Sequence, residues 1–247
     1  MIRKLLGITL YLFSAVLLIF VLFFSSFIIN PHSRVLIFSK TAGFHHSSIP
    51  DGIAAIQKLG KENGFETDTT TNAEWFNEQT LKKYNALIFL STTGDLFNED
   101  EKAALIHYIQ SGGGYVGIHA ASDAEYKWPW YGNLVGAWFL SHPKIQEATL
   151  HVTDANNDAT RHLPESWKRT DEWYNFKNIS PDLHILLTID EKSYEGGKNG
   201  DFHPMAWFHS YDGGRAFYTE LGHTSESYTD PLYLKHILGG INYALKK

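Results

Sequence analysis

Four short segments of this 247-residue chain carry side chains able to move protons or hold a metal ion. They are His45-His46, Thr93 with Asp95, His119 with Asp123, and His223. Imidazole titrates near pH ~6.5, so it serves as general acid, general base or neutral metal ligand. His119, His223, His45 and Asp123 are the candidate catalytic groups, and His46, Thr93 and Asp95 are candidates to bind substrate. His45, His119 and His223 with Asp95 or Asp123 could also assemble a distributed His/carboxylate site for a divalent metal, although no tight zinc spacing such as His-Glu-x-x-His is present. His142 and His203 precede prolines and read as turn-shaping residues.

These segments are useful only if the fold brings them together. Residues 34–39, 86–91 and 115–118 are short apolar runs, and each is followed at once by one of the polar loops. Helical patterns over 50–62 and 98–110 separate them, the second opening on Asn98 with Glu101 three residues later, a capping-box spacing. Strand and helix alternating with short loops predicts an α/β domain: an open, mostly parallel sheet with helices on both faces. In such a sheet ligands sit outside the carboxyl ends of the strands, where all four loops would emerge. Further on, alternation predicts strands over 144–153 and 183–189. Asp212-Gly213-Gly214 predicts a hairpin between strands over 204–210 and 215–220, and a helix closes the chain over 231–245.

Composition excludes several classes. The chain has no cysteine, which removes disulfides, thiolate ligands and a Cys nucleophile. Its net charge is -6 with no basic stripe, so nucleic acid is not an expected partner. Gly112-Gly113-Gly114 precedes a strand rather than following one, so it is no phosphate loop and no nucleotide cofactor is expected. Gly117-Ile118-His119-Ala120-Ala121 occupies the place of a nucleophile elbow, yet holds His where Ser or Cys would attack, which argues against covalent acyl transfer. Trp128, Trp130, Tyr131, Trp173, Tyr174 and Trp207 either wall a cleft beside Asp171, Glu172 and Asn175, as suits the apolar faces of a sugar, or pack the interior.

Residues 5–29 carry no charge and follow Arg3-Lys4. A helix of that length crosses a hydrocarbon core of about 30 Å, and the preceding positive charges leave the N-terminus in the cytoplasm. The expectation is an uncleaved, single-pass anchor over 5–29, favoured over a cleaved signal, with the domain of residues 33–247 on the side of the membrane away from the cytoplasm.

The motifs Thr41-Ala42-Gly43-Phe44-His45-His46, Phe89-Leu90-Ser91-Thr92-Thr93-Gly94, Gly113 through Ala121, His203-Pro204-Met205-Ala206-Trp207 and Gly214 through His223 occur in this order. Over residues 34–246 the chain resembles the trehalose-utilisation ThuA-like family. The resemblance implies a flavodoxin-like, class I glutamine-amidotransferase-like fold and a role in carbohydrate metabolism, on or near small sugars and 3-keto-glycosides. Amidotransferases of this fold carry Cys where this chain has His119, so glutamine hydrolysis is not expected. Two roles are compatible with the residues: an enzyme using His/carboxylate acid–base chemistry, or a non-catalytic carbohydrate-binding or accessory module.

Overall fold

The computed structural model describes residues 33–246. The anchor expected over 5–29 lies outside them, and among the described residues no helix is long and apolar enough to cross a membrane.

The centre is a nine-stranded sheet in the order β2-β1-β3-β4-β11-β10-β9-β6-β7. Strands β1 (Ser33–Phe38), β3 (Ala86–Leu90) and β4 (Gly114–Ile118) are nearly continuous apolar runs, and β3 and β4 are buried along their whole length. Such runs fit a parallel sheet covered on both faces. With β2 (Phe65–Thr70) and β11 (Gly214–Thr219) they pair in parallel. Counting β11 as the fifth strand, the order is the 2-1-3-4-5 of flavodoxin-like sheets.

Consecutive glycines show both layers of cover. A Cβ on Gly113 would strike the Tyr108 ring of α3 (Glu99–Gln110), and one on Gly114 would strike the backbone of Ala244 in α5 (Pro231–Leu245). Neighbouring strand residues face opposite sides, so the two helices lie on opposite faces. Helix α1 (Ile49–Asn63) shares the α5 face, and α2 (Glu78–Leu81) packs with α3. The Asn98/Glu101 capping box forms in both directions.

The sheet is mixed rather than mostly parallel. From β11 outward, β10 (Pro204–Tyr211), β9 (His184–Ile189), β6 (Gln146–Val152) and β7 (Ser166–Asp171) are antiparallel. The hairpin that reverses direction turns on Asp212 (φ 47°) and Gly213 (φ 91°), the doubly left-handed turn that matches strand twist. The middle of the chain also holds strands that residue patterning did not reveal. Besides β7, these are β5 (Trp138–Ser141) and β8 (Asn175–Lys177), which follow and flank α4 (Pro129–Val135) and pair as a separate two-stranded sheet. All three are too short or too polar to stand out from loops.

Candidate functional site

The parallel strands deliver their loops to one edge. His46 follows β1, Thr93 follows β3, His119 follows β4 at once, and His223 lies four residues past β11. The structure brings three of the histidines together with a carboxylate: one donor atom each from His46, His119, Glu172 and His223 lies within 4.8 Å of all the others.

His119 begins a short 3-10 turn, with φ at 52°. A non-glycine residue in the left-handed region stores backbone strain, of order 1–3 kcal/mol, and such strain gathers at functional turns. The ring is fully buried. Its Nδ1 lies 2.7 Å from the main-chain oxygen of Glu220. A carbonyl oxygen only accepts, so a proton sits on Nδ1, and Nε2 is the nitrogen turned toward the cluster. Nε2 points at His223 Nδ1 (3.1 Å) and at Glu172 Oε2 (3.5 Å). The His223 ring nitrogen is also 3.1 Å from Glu172 Oε2. The three imidazole planes stand nearly edge-on to one another, with centroids 4.8, 5.1 and 5.0 Å apart.

Charges around the cluster are uneven. Burial opposes ionisation of Glu172, but hydrogen bonds and fields from His119 and His223 outweigh it and hold this carboxyl well below the usual range. His223 is pulled the other way: burial disfavours its charged form, yet Glu172 and Asp171 raise it above the ordinary imidazole value. His46 is pushed down to about 3 by burial and by the neighbouring His119 and His223. It is therefore neutral at physiological pH, and its buried Nδ1 has no hydrogen-bond partner among the described residues.

This donor set fits a metal ion. His119 Nε2, His223 Nδ1 and the anionic Oε2 of Glu172 converge on one point, an arrangement that suits a cation among them. Zinc bonds of about 2.0–2.2 Å in a tetrahedron separate neighbouring ligand atoms by about 3.3–3.6 Å, close to the 3.1–3.5 Å spacings among His119, His223 and Glu172, while the set with His46 spreads to 4.8 Å. The anchoring bond from His119 Nδ1 to a carbonyl is the outer-shell contact that ligating histidines normally make.

A second layer of residues holds the first. Asp171 is completely buried and ties down the loop that carries His223. It accepts from the backbone N–H groups of Gly222 (3.0 Å) and His223 (3.1 Å) and from Arg169 Nη2 (2.9 Å). Glu220 is also completely buried, accepts from the Tyr174 N–H at 3.0 Å, and is held well above the usual carboxyl range by burial and by Asp171. His142 Nδ1 bonds with the Pro143 carbonyl at 2.9 Å and lies 3.0 Å from Glu172 Oε1. The cluster opens into a cavity of about 220 Å³ walled by Phe44, Phe139 and Tyr174 and by the polar side chains of Asp123 and His142. Asp123 accepts from the Tyr126 hydroxyl at 2.5 Å, and burial raises its pKa above that of a free carboxyl.

The remaining sequence candidates lie elsewhere. His45 is exposed beside Thr41, with its Nδ1 3.1 Å from the Thr41 hydroxyl, while its neighbour His46 turns inward. Asp95 is exposed near Lys127. Thr93 is buried and braces the β1 loop, accepting from the Gly43 N–H and donating to the Phe44 carbonyl. Trp173 and Trp207 are fully buried core residues whose indole N–H groups donate to the carbonyls of Gln146 and Val135. Trp128 stacks on Trp130 under Lys102. The aromatic wall of the cavity is thus built from Phe44, Phe139 and Tyr174, none of the tryptophans taking part. Glu172 and His142 are the residues that sequence reasoning placed outside the catalytic set, and the signal for Glu172 was its position beside Asp171 in an acidic, aromatic stretch.

Comparison with known proteins agrees with this architecture. A family model described as "ThuA: Trehalose utilisation" matches residues 34–244. A ThuA-like protein from Bacteroides uniformis is 26% identical, with a TM-score of 0.75 over 88% of this chain and 93% of that one. A second, from Parabacteroides merdae, is 19% identical with a TM-score of 0.71, over 87% and 91%. A GMP synthase component from Thermoplasma acidophilum shares the fold at 13% identity and a TM-score of 0.53, over 87% and 95%. No curated protein matches the chain. The strand order, the histidine-bearing loops at its carboxyl edge and the family match over nearly all described residues agree: this chain belongs to the ThuA family of trehalose utilisation.

Proposed function

We propose that the protein is a divalent-metal-dependent enzyme of carbohydrate metabolism, acting on a small sugar or 3-keto-glycoside. One observation carries the reading. His119 Nε2, His223 Nδ1 and an ionised Glu172 oxygen converge within 3.1–3.5 Å of one another beside a cavity, with a His46 nitrogen within 4.8 Å of them. His46, His119, Glu172 and His223 would hold the ion. A bound divalent metal supplies Lewis acidity toward a sugar carbonyl or hydroxyl. Soft ligands are absent and imidazole dominates, which favours a first-row transition ion over magnesium or calcium.

The protein's own residues provide the rest. The Glu220 carbonyl fixes the His119 tautomer. His142 orients the outer oxygen of Glu172. Asp123 faces the same cavity, and its raised pKa places it closer to the working range of a general acid or base for a sugar hydroxyl. We further propose that residues 5–29 tether this domain to the periplasmic face of a bacterial inner membrane, which an alkaline phosphatase fusion at the C-terminus would test by being active.

The test of the catalytic reading uses the full chain, stripped with EDTA and reloaded with zinc, cobalt, nickel or manganese. Bound metal is measured by plasma mass spectrometry, and turnover of trehalose and 3-keto-trehalose is followed. The expected result is one ion per chain and metal-dependent turnover, both abolished in Glu172→Ala and His223→Ala. Turnover that survives complete metal removal would overturn the metal reading. Sugar binding without turnover would make the protein an accessory module instead.

A further inference from the structure

Phe44 is the most exposed large apolar side chain among the described residues, at 65%. Single exposed apolar residues are ordinary on protein surfaces. What sets this one apart is a backbone held rigid while the ring gains little burial. Ala42 N–H donates to the Thr93 carbonyl at 2.8 Å, Gly43 N–H to the Thr93 hydroxyl at 3.2 Å, and that hydroxyl donates to the Phe44 carbonyl at 2.9 Å. Gly43 and Gly94 lie against each other: a Cβ on Gly94, which sits at φ 77°, would come within 3.0 Å of the Gly43 backbone nitrogen. The loop is therefore fastened to the end of β3, and it presents the Phe44 ring at the cavity, edge-on to His46 with centroids 4.8 Å apart.

The cavity is divided by chemistry. Phe44, Phe139 and Tyr174 contribute aromatic surface, and Phe139 packs on Tyr174 at 4.3 Å. Asp123, His142 and the metal-ligand cluster contribute hydrogen-bonding groups. A pyranose ring has the same division: a face of C–H bonds and a rim of hydroxyls. The volume of about 220 Å³ falls below the roughly 300–1,000 Å³ of clefts that enclose drug-sized ligands. It is of the scale of one sugar ring.

We propose that Phe44 is the sugar-stacking, specificity-determining residue of a subsite that takes a single pyranose ring, leaving the remainder of the glycoside outside the cavity. The proposal rests on the carbohydrate reading above. Its consequence is selectivity for the enclosed ring and indifference to what that ring is attached to.

The test compares trehalose, maltose and sucrose, which share a glucosyl ring but differ in the attached unit, together with their 3-keto forms. Binding to the metal-loaded full chain is measured by calorimetry. The three sugars of whichever form binds are expected to have similar affinities. Phe44→Ala is expected to weaken all of them about tenfold, the scale of one lost aromatic contact, and Phe44→Trp to preserve binding. Metal content and melting temperature are expected to stay at wild-type values, since the side chain is exposed. Unchanged affinity in Phe44→Ala would overturn the stacking role and leave the carbohydrate reading intact. Discrimination of a hundredfold among the three glycosides would overturn the single-ring subsite. Binding of none of them by fully metallated protein would overturn both the subsite and the carbohydrate reading.

Discussion

At the scale of residues, the site depends on which nitrogen carries a proton. His119 directs its Nδ1 hydrogen at a main-chain carbonyl, so its other nitrogen is the one that faces the cluster. Glu172 divides its two oxygens in a similar way, one toward His119 and His223 and one toward His142. Removing an outer partner of a metal ligand commonly costs 10–100-fold in affinity or activity. His142→Ala is accordingly expected to weaken metal binding by about that factor, while the melting temperature of the metal-free protein stays near wild type because the side chain is 43% exposed. Metal titration of the variant checks this. Legibility at this scale was uneven. His46, His119 and His223 could be found because each follows a recognisable parallel strand. His45 and Asp95 share those loops but point outward, and nothing in a residue's type distinguishes an inward from an outward loop position. The tryptophans drew attention by chemistry, yet Trp173 and Trp207 are the core that steadies the neighbouring Glu172 and Thr219 segments.

At the scale of elements, two buried polar contacts support the site from behind. The first is the Asp171–Arg169 pair at the end of β7, fully buried on the Asp171 side. Removing one partner of a buried ion pair strands the other, typically at a cost of about 3–5 kcal/mol. Asp171→Ala should lose stability on that scale in urea unfolding and should also free the loop that carries His223. The second is His236 on α5, which bridges the Ala159 carbonyl and the Thr219 hydroxyl at the end of β11. Burial pushes its pKa down to about 3 from 6.5. Between those values the unfolded chain binds a proton that the native state refuses, so stability falls as pH drops below about 6.5. From pH 7 to pH 5 this one group should remove about 2 kcal/mol. In His236→Gln the loss between the same pH values should shrink by that amount, as read by denaturant titration at both. Patterning located α5, α3 and the parallel strands well because their apolar runs and caps are strong local signals. It missed β7, where Ser166, Lys168 and Thr170 face outward and Trp167, Arg169 and Asp171 inward, so that charged side chains occupy buried positions. A buried arginine bonded to Ser227, 58 residues further on, is not a local signal.

At the scale of the whole molecule, the ligand set is drawn from two differently built halves of one sheet. His46, His119 and His223 come from the flavodoxin-like parallel half, whereas Glu172 arrives from the end of β7, the outermost antiparallel strand. A ligand that binds only the folded state stabilises it by about 4 kcal/mol when present at a thousand times its Kd. Saturating metal should therefore raise the melting temperature, and EDTA should reverse the rise. Failure of any transition ion to shift the melt would contradict the assignment of the cluster.

The position of Glu172 has a mechanical consequence. The ion would act as a further rivet across a seam that Asp171 and Glu220 already bridge, fastening the end of the antiparallel flap to the parallel slab. Amide hydrogens of β6, β7 and β9 would then exchange faster in the stripped protein than in the loaded one, while those of β1 and β3 would keep the same protection in both. Opening of the flap and release of the ion would then be coupled, and the lifetime of a bound metal would report how often this half of the sheet lifts away.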